Sequence, residues 1–179
     1  MSQINQIQEE LRQIEGGRFQ TLANQYLYRR YSLNNIIELG SQCGTDKTTT
    51  GVPDMYSVGE NGHYLFAAYT TSNSDIRNKL LNDAKDCLDR SKTGINPQLI
   101  DRIILCHTYF RLSPLVLEEV RAIDPRIEII GPETIASDLD GKYPALAHTV
   151  LGVPLGKGSF IAPDRFIERS LNDRFSTDL

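Results

Sequence analysis

Apolar residues recur at steps of three and four through Ile4, Ile7, Leu11 and Ile14, which predicts an amphipathic helix at the start of the chain. The pair Gly16-Gly17 interrupts it. Phe19, Leu22, Ala23, Tyr26 and Leu27 then form the apolar side of a second helix. NNIIELG reads as a short strand, followed by a Gly- and Thr-rich loop over residues 40–53. The stretch GVPDMYSVGENGHYLFAAYTT, residues 51–71, reads as two strands joined by a turn at Glu60-Asn61-Gly62. Asn73, Ser74 and Asp75 offer N-caps for a third helix, whose apolar stripe is Ile76, Leu80, Ala84, Cys87 and Leu88. A buried strand is expected from Ile103 to Cys106. A helix opens at Ser113-Pro114, where proline suits the first helical position, and carries Leu115, Val116, Leu117 and Val120. RIEIIG gives another strand, Pro132 begins a helical segment, and Pro144 to Leu151 form one more.

The expected order is helix, helix, strand, hairpin, helix, strand, helix, strand, helices. Strands mixed with helices in this way predict an α/β sandwich, a mixed sheet with helices on both faces. There is no internal repeat and no low-complexity tract. The tail SLNDRFSTDL has little to bury after Phe166 and Ile167. The expectation is a domain over residues 1–160 and a connector over 161–179 leading to a downstream domain.

Composition adds limits to this picture. The 179 residues are enough for one domain with a real core, and 40% hydrophobic with 23% charged residues is ordinary for a globular chain. A net charge of −4 gives no overall basic signature of nucleic-acid binding, although a local basic groove is compatible with it. Three widely spaced cysteines, Cys43, Cys87 and Cys106, suit free thiols in a reducing compartment. No apolar run approaches the roughly 20 residues of a membrane span, and MSQINQIQEELRQ is no signal peptide. A soluble cytoplasmic protein is the expectation.

The candidate chemistry is concentrated in the loop and the hairpin. The loop GSQCGTDKT departs from a phosphate-binding loop, because Lys47 lies three residues after Gly44 and the loop leads into a strand. His63, His107 and His148 lack metal-ligand spacing, so no zinc site is expected, and no Ser-His-Asp or Cys-His constellation can be placed. His107 is expected to be a hydrogen-bonded, partly buried side chain. Asp54 opens a strand after a Gly-containing loop, where a carboxylate can project from a sheet edge into a cleft, or simply serve the turn after Pro53. Phosphodiester hydrolysis near neutral pH calls for a metal to activate water, and Mg²⁺ takes one or two carboxylates while keeping several waters. A nearby lysine can steady the water or the developing charge. The basic and aromatic run Tyr28-Arg29-Arg30-Tyr31 suits either a helix C-terminus or a phosphate contact.

Pro53-Asp54, followed on the next strand by the place of an acid-x-Lys pair, resembles the PD-(D/E)XK nuclease superfamily. Phe19-Gln20 in an early helix, Gly51-x-Pro53-Asp54 and then YLFAAYTT are similar to the Mrr-like domains at the N-termini of bacterial antiviral STAND NTPases. Lys79, Leu80, Asp83 and Cys87 on the following helix extend the likeness. So do Tyr143-Pro144-x-Leu146-Ala147 and Leu151-Gly152-Val153-Pro154. The resemblance covers about residues 17–170. It implies a restriction-endonuclease-like sandwich that cuts double-stranded DNA with Mg²⁺ or Mn²⁺ and leaves a 5′-phosphate. It further implies a homo-oligomeric effector in anti-phage defence, joined to NTPase and sensor domains of the same parent chain.

Two positions depart from the family pattern. Ala68 stands where the family acid is expected in a form such as YxFxEYTT, and Thr70 stands where the lysine would be. The implied metal set is Asp54, the position held by Ala68, and the backbone carbonyl of Tyr69. The lysine migrates in this superfamily, so Lys47 and Lys79 are its candidates, with a plain surface role as the alternative for each. Gln20 matches a place where relatives put an acid or amide near the metal, or is a surface residue of its helix. Tyr69 is expected in the core. Ala68 has two readings, an engineered Glu-to-Ala change that silences a toxic nuclease or a natural pseudo-nuclease; the intact surroundings favour the first. Either way the chain as written is expected to cut poorly or not at all. The alternative function is a degenerate nuclease fold serving oligomerisation or DNA binding.

Overall fold

A computed structural model of the chain describes residues 1–39 and 52–156. Helix α1 runs Gln3–Gln13, capped by the Ser2 hydroxyl accepting from Asn5 N, and α2 runs Gly16–Arg30. The break between them is the extended residue Ile14, so the glycine pair begins the second helix. Three strands follow: β1 at Ile37–Glu38, β2 at Met55–Val58 and β3 at Tyr64–Thr70. Then come α3 at Ile76–Leu88, a single turn α4 at Arg90–Thr93, a 3₁₀ turn at Pro97–Leu99 and strand β4 at Ile100–His107. Helix α5 at Pro114–Arg121, strand β5 at Ile127–Ile130 and helices α6 at Pro132–Gly141 and α7 at Pro144–Leu151 complete the order.

The five strands form one mixed sheet in sequence order. β1, β2 and β3 pair antiparallel, whereas β3, β4 and β5 pair parallel. The β2–β3 hairpin turns at Gly62, whose φ of +78° is one that only glycine adopts freely. Parallel strands need a crossover, and α3 supplies it between β3 and β4.

The sheet is covered on both faces, as the α/β sandwich requires. One face packs Ala67 of β3, Ile104 and Cys106 of β4 and Ile130 of β5 against α1, α2, α6 and α7, with Ile7, Leu11, Phe19, Leu22 and Tyr26 fully buried. The other face packs Phe66, Ala68, Ile103 and Leu105 against Ile76, Leu80, Ala84 and Cys87 of α3 and Val120 of α5. Alternation along β3 thus sends residues 66 and 68 to α3 and residues 67 and 69 to the α2 side.

At the basic end of α2, for which a helix-terminus role and a phosphate contact were both open, Arg30 enters an internal ion network. Arg30 Nη1 donates to Asp138 Oδ2 at 2.6 Å and the guanidinium pairs with Glu128 at 3.6 Å. The Tyr26 hydroxyl also donates to Asp138, tying α2 to α6. Cys43, Lys47, Phe166, Ile167 and the connector expected over 161–179 lie outside the described residues.

Leu80 is the fully buried residue through which α3 docks on the sheet. Leu80→Ala is expected to cost about 2–5 kcal/mol, read from the midpoint of urea unfolding.

Candidate functional site

The antiparallel register places the start of β2 beside the end of β3, since Met55 pairs with Ala67. Asp54, Thr70 and His107 therefore share one edge, outside the carboxyl ends of the parallel strands. Open α/β sheets bind ligands at that edge.

Asp54 is fixed there by main chain on both sides. Its Oδ2 accepts from Tyr69 N at 2.7 Å, its own N–H donates to Ala67 O at 3.0 Å, and its C=O accepts from Leu39 N at 2.9 Å. Burial pushes its carboxyl up to about 6, and the nearby Asp83 adds to the rise, while the Tyr69 N–H and the Lys79 ammonium oppose it. Met55 and Ala67 pair on the α2 side, so Asp54, one residue earlier and opposite Ala68, falls on the α3 side of the sheet.

Asp83 is the second acid of the site. Its side chain is 4% exposed, and Lys79 Nζ donates to its Oδ1 at 2.6 Å. The Thr70 hydroxyl donates to its Oδ2 at 3.4 Å. Burial raises its carboxyl too, against the lowering effect of Lys79 and Thr70. Sequence reasoning noted Asp83 within the resemblance but gave it no role. The signal was present, because a carboxylate at 83 falls inside the apolar stripe Ile76, Leu80, Ala84, Cys87.

Lys79 and Thr70 both engage Asp83, and Asp54 lies near enough for its ionisation to feel Asp83 and Lys79. Lys79 is no freely solvated charge, since its ammonium caps a buried acid from a half-exposed stem. Ala68, 2% exposed, packs with Phe66, Ile76, Leu80, Ala84 and Cys87. A side chain at 68 therefore points toward α3, the side on which Asp54 and Asp83 lie.

Tyr69 has two separate ends. Its N–H holds Asp54, and because N–H and C=O of a strand residue point the same way, its carbonyl faces that same edge. Its ring lies on the opposite face, packed edge-on against Phe19 with centroids 6.1 Å apart. There its hydroxyl donates to Asn24 Oδ1, and Asn24 Nδ2 donates to Glu38 Oε1 at 2.7 Å. Gln20 lies on α2 one turn before Asn24. It is buried rather than a surface residue, because α2 packs that flank against the sheet, and its Nε2 has no hydrogen-bond partner. Gln20 Nε2 therefore makes no hydrogen bond to Asp54.

Other reactive groups stand apart. His107 is fully buried rather than partly so, because it ends the interior strand β4. It accepts from Tyr109 N at Nδ1, and burial lowers it to about 4, so it is neutral at pH 7. His63 pairs with Asp101 at 2.7 Å, and His148 Nδ1 lies 3.0 Å from Val153 O. The Cys87 and Cys106 thiols are buried and pushed far up by desolvation, which leaves them inert.

The Asp54 carboxylate and the Tyr69 carbonyl are oxygen donors, of the kind a hard cation such as Mg²⁺ prefers. Asp54 and the Tyr69 carbonyl fit such an ion, and position 68 is where a further carboxylate would complete the set. Among the described residues no three His, Cys, Asp or Glu side chains cluster in a metal-holding arrangement. No protein-family model matches the chain, and neither a curated protein nor a solved structure does.

The raised carboxyl of Asp54 fixes a pH test. Its proton is bound more tightly in the folded state, so the stability it lends is complete below about pH 4 and is lost as pH rises through about 6. Asp54→Asn removes that loss. The variant is expected to exceed the parent by about 1–2 kcal/mol above neutral pH, with the difference vanishing near pH 4, as measured by urea unfolding across pH.

Proposed function

We propose that this domain belongs to a metal-dependent DNA endonuclease in which Asp54 is the surviving metal ligand and Ala68 occupies the place of the second. The observation that carries this reading is the placing of Asp54. It is a half-buried carboxylate at the sheet edge, held by Tyr69 N–H, on the side toward which residue 68 and the Lys79–Asp83 pair project. The mixed sheet with its hairpin and crossover helix is compatible with a restriction-endonuclease-like sandwich.

In this reading Mg²⁺ or Mn²⁺, when bound, lowers the pKa of a water and offsets charge on the scissile phosphate. Asp54 would hold the ion, with a carboxylate at the place of Ala68 and the Tyr69 carbonyl as further donors. Lys79 supplies a cation at the mouth of the site for the phosphate or the attacking water, the task sequence analysis shared between Lys47 and Lys79. Thr70, in the place of the family lysine, orients Asp83 instead. Water would attack in line at phosphorus, forming a new P–O bond as the P–O3′ bond breaks, to leave a 5′-phosphate and a protonated 3′-hydroxyl. Double-stranded DNA is the proposed substrate. Anti-phage defence, homo-oligomerisation and activation by NTPase and sensor domains of a cytoplasmic parent chain are parts of the same proposal. As for membranes, no described helix is long and apolar enough to cross one.

A second reading is a non-cutting module of the same fold for oligomerisation or DNA binding. It is favoured by the close packing of Ala68, which lies 2% exposed against α3 as an ordinary core residue.

The readings separate on Ala68→Glu, preferably in the full-length parent with its activator. The nuclease reading expects Mg²⁺- or Mn²⁺-dependent nicking of plasmid by this variant. Adding Asp54→Asn should lower that activity by about 100-fold or more. Intact plasmid with folded, oligomeric Ala68→Glu protein would sink the nuclease reading and leave the second.

A further inference from the structure

The turn after β4 holds an arginine in a backbone conformation that suits glycine. Arg111 has a φ of +57°, in the left-handed region where a side chain is strained. Glycine would adopt it freely, so the backbone alone gives no reason for an arginine at this position. The groups around the turn lock it in place. Tyr109 N–H donates to His107 Nδ1 at 3.1 Å, and Arg111 N–H donates to Glu133 Oε1 at 2.7 Å, which ties the turn to the start of α6. Thr108 N–H donates to Thr70 O at 3.1 Å, and the Thr108 hydroxyl accepts from Ser72 N at 2.8 Å, which ties it to the end of β3. Phe110 packs toward the α2 side, while Tyr109 and Leu112 pack toward α3. The turn is thus anchored in both layers of the core. Arg111 itself is exposed, at the carboxyl end of the parallel strands where open α/β sheets take ligands.

The charge of this arginine is uncommitted. Arg30, Arg77, Arg102 and Arg126 are each paired with acids of the fold. Glu133 engages only the main chain of Arg111, and among the described residues no acid pairs with its guanidinium. Beside it, the Arg12 guanidinium lies 4.0 Å from the centroid of the Phe110 ring, with a long contact of 3.7 Å to Glu9. In a chain of net charge −4, contacts to a polyanion must come from local groups of cations such as this one.

We infer that Arg111, with Arg12 beside it, contacts the phosphate backbone of a bound DNA duplex, presented by a turn that Glu133 locks. The planar guanidinium fork matches two phosphate oxygens, and a fixed turn spares part of the ordering cost of binding. Glu133 is a positioning residue, acting through the Arg111 main chain. The inference rests on the DNA-binding side of the reading above and needs neither a metal nor a carboxylate at position 68.

Fluorescence anisotropy of a short DNA duplex, titrated with the 179-residue chain over a range of salt, tests this. Arg111→Gly accepts the left-handed turn, so its urea midpoint is expected at or above that of the parent. Its duplex binding is expected to weaken alike on every sequence, with the slope of log K against log salt reduced by about 0.9. Arg111→Lys keeps the charge and is expected to keep the parent slope. Unchanged affinity and slope in folded Arg111→Gly protein overturn the inference while the DNA reading stands. No duplex binding by the parent overturns both. Inorganic phosphate at constant ionic strength separates a free-ion site from a backbone contact. If phosphate, but not chloride, abolishes the Arg111-dependent part of the binding, the corner is a free-phosphate site and the inference fails.

Discussion

The hydrogen bond from Tyr69 N–H to Asp54 Oδ2 is the constraint around which this sheet edge is organised. It holds a carboxylate half out of water, beside a second acid, in a place where ionisation is resisted. Such a placement is unfavourable for the fold alone and becomes reasonable when a cation shares the site. The surroundings of Asp54 serve to keep it there. The main chain of β1 and β3 binds its backbone, and Tyr69 is anchored at its far end through Asn24 to Glu38. That chain of contacts loops from Asp54 through β3 and α2 to β1, then returns through Leu39 N–H. A shift of any one of these elements would move the carboxylate.

On the other face, α3 brings charge to the same edge. Its apolar stripe docks it on Phe66 and Ala68, and this docking carries Lys79 and Asp83 into reach of Thr70 and Asp54. Core packing and site assembly are therefore one event. The helix that buries Leu80 and Cys87 also presents, among the described residues, a cation that lowers the cost of ionising both acids.

Periodicity and turn chemistry made the main elements legible, because each long helix and the hairpin carries its own local signal. The short pieces were missed for the complementary reason. Arg90–Thr93 and Pro97–Leu99 are too brief to show a period, and their caps, Asp89 and Asn96, look like ordinary loop residues. β4 begins earlier than its apolar run because Asp101 and Arg102 mask its start, although Arg102 reaches Glu128 of β5 at 2.9 Å. In the site, Asp54 and position 68 were legible from the hairpin. Asp83 left a trace as a charge within an apolar stripe, yet its partner Thr70 lies on another element and no local pattern encodes that contact. The burial of Gln20 and the pairing of Arg30 with Asp138 likewise depend on which helix face meets the sheet, which spacing alone does not decide.

The account stands or falls on whether the edge at Asp54 is a place for a divalent cation. The most direct measurement is anomalous scattering from a crystal of the Ala68→Glu variant soaked in Mn²⁺. The account predicts a peak at coordination distance from Asp54, the introduced carboxylate and the Tyr69 carbonyl. A well-ordered edge with no peak there would contradict it.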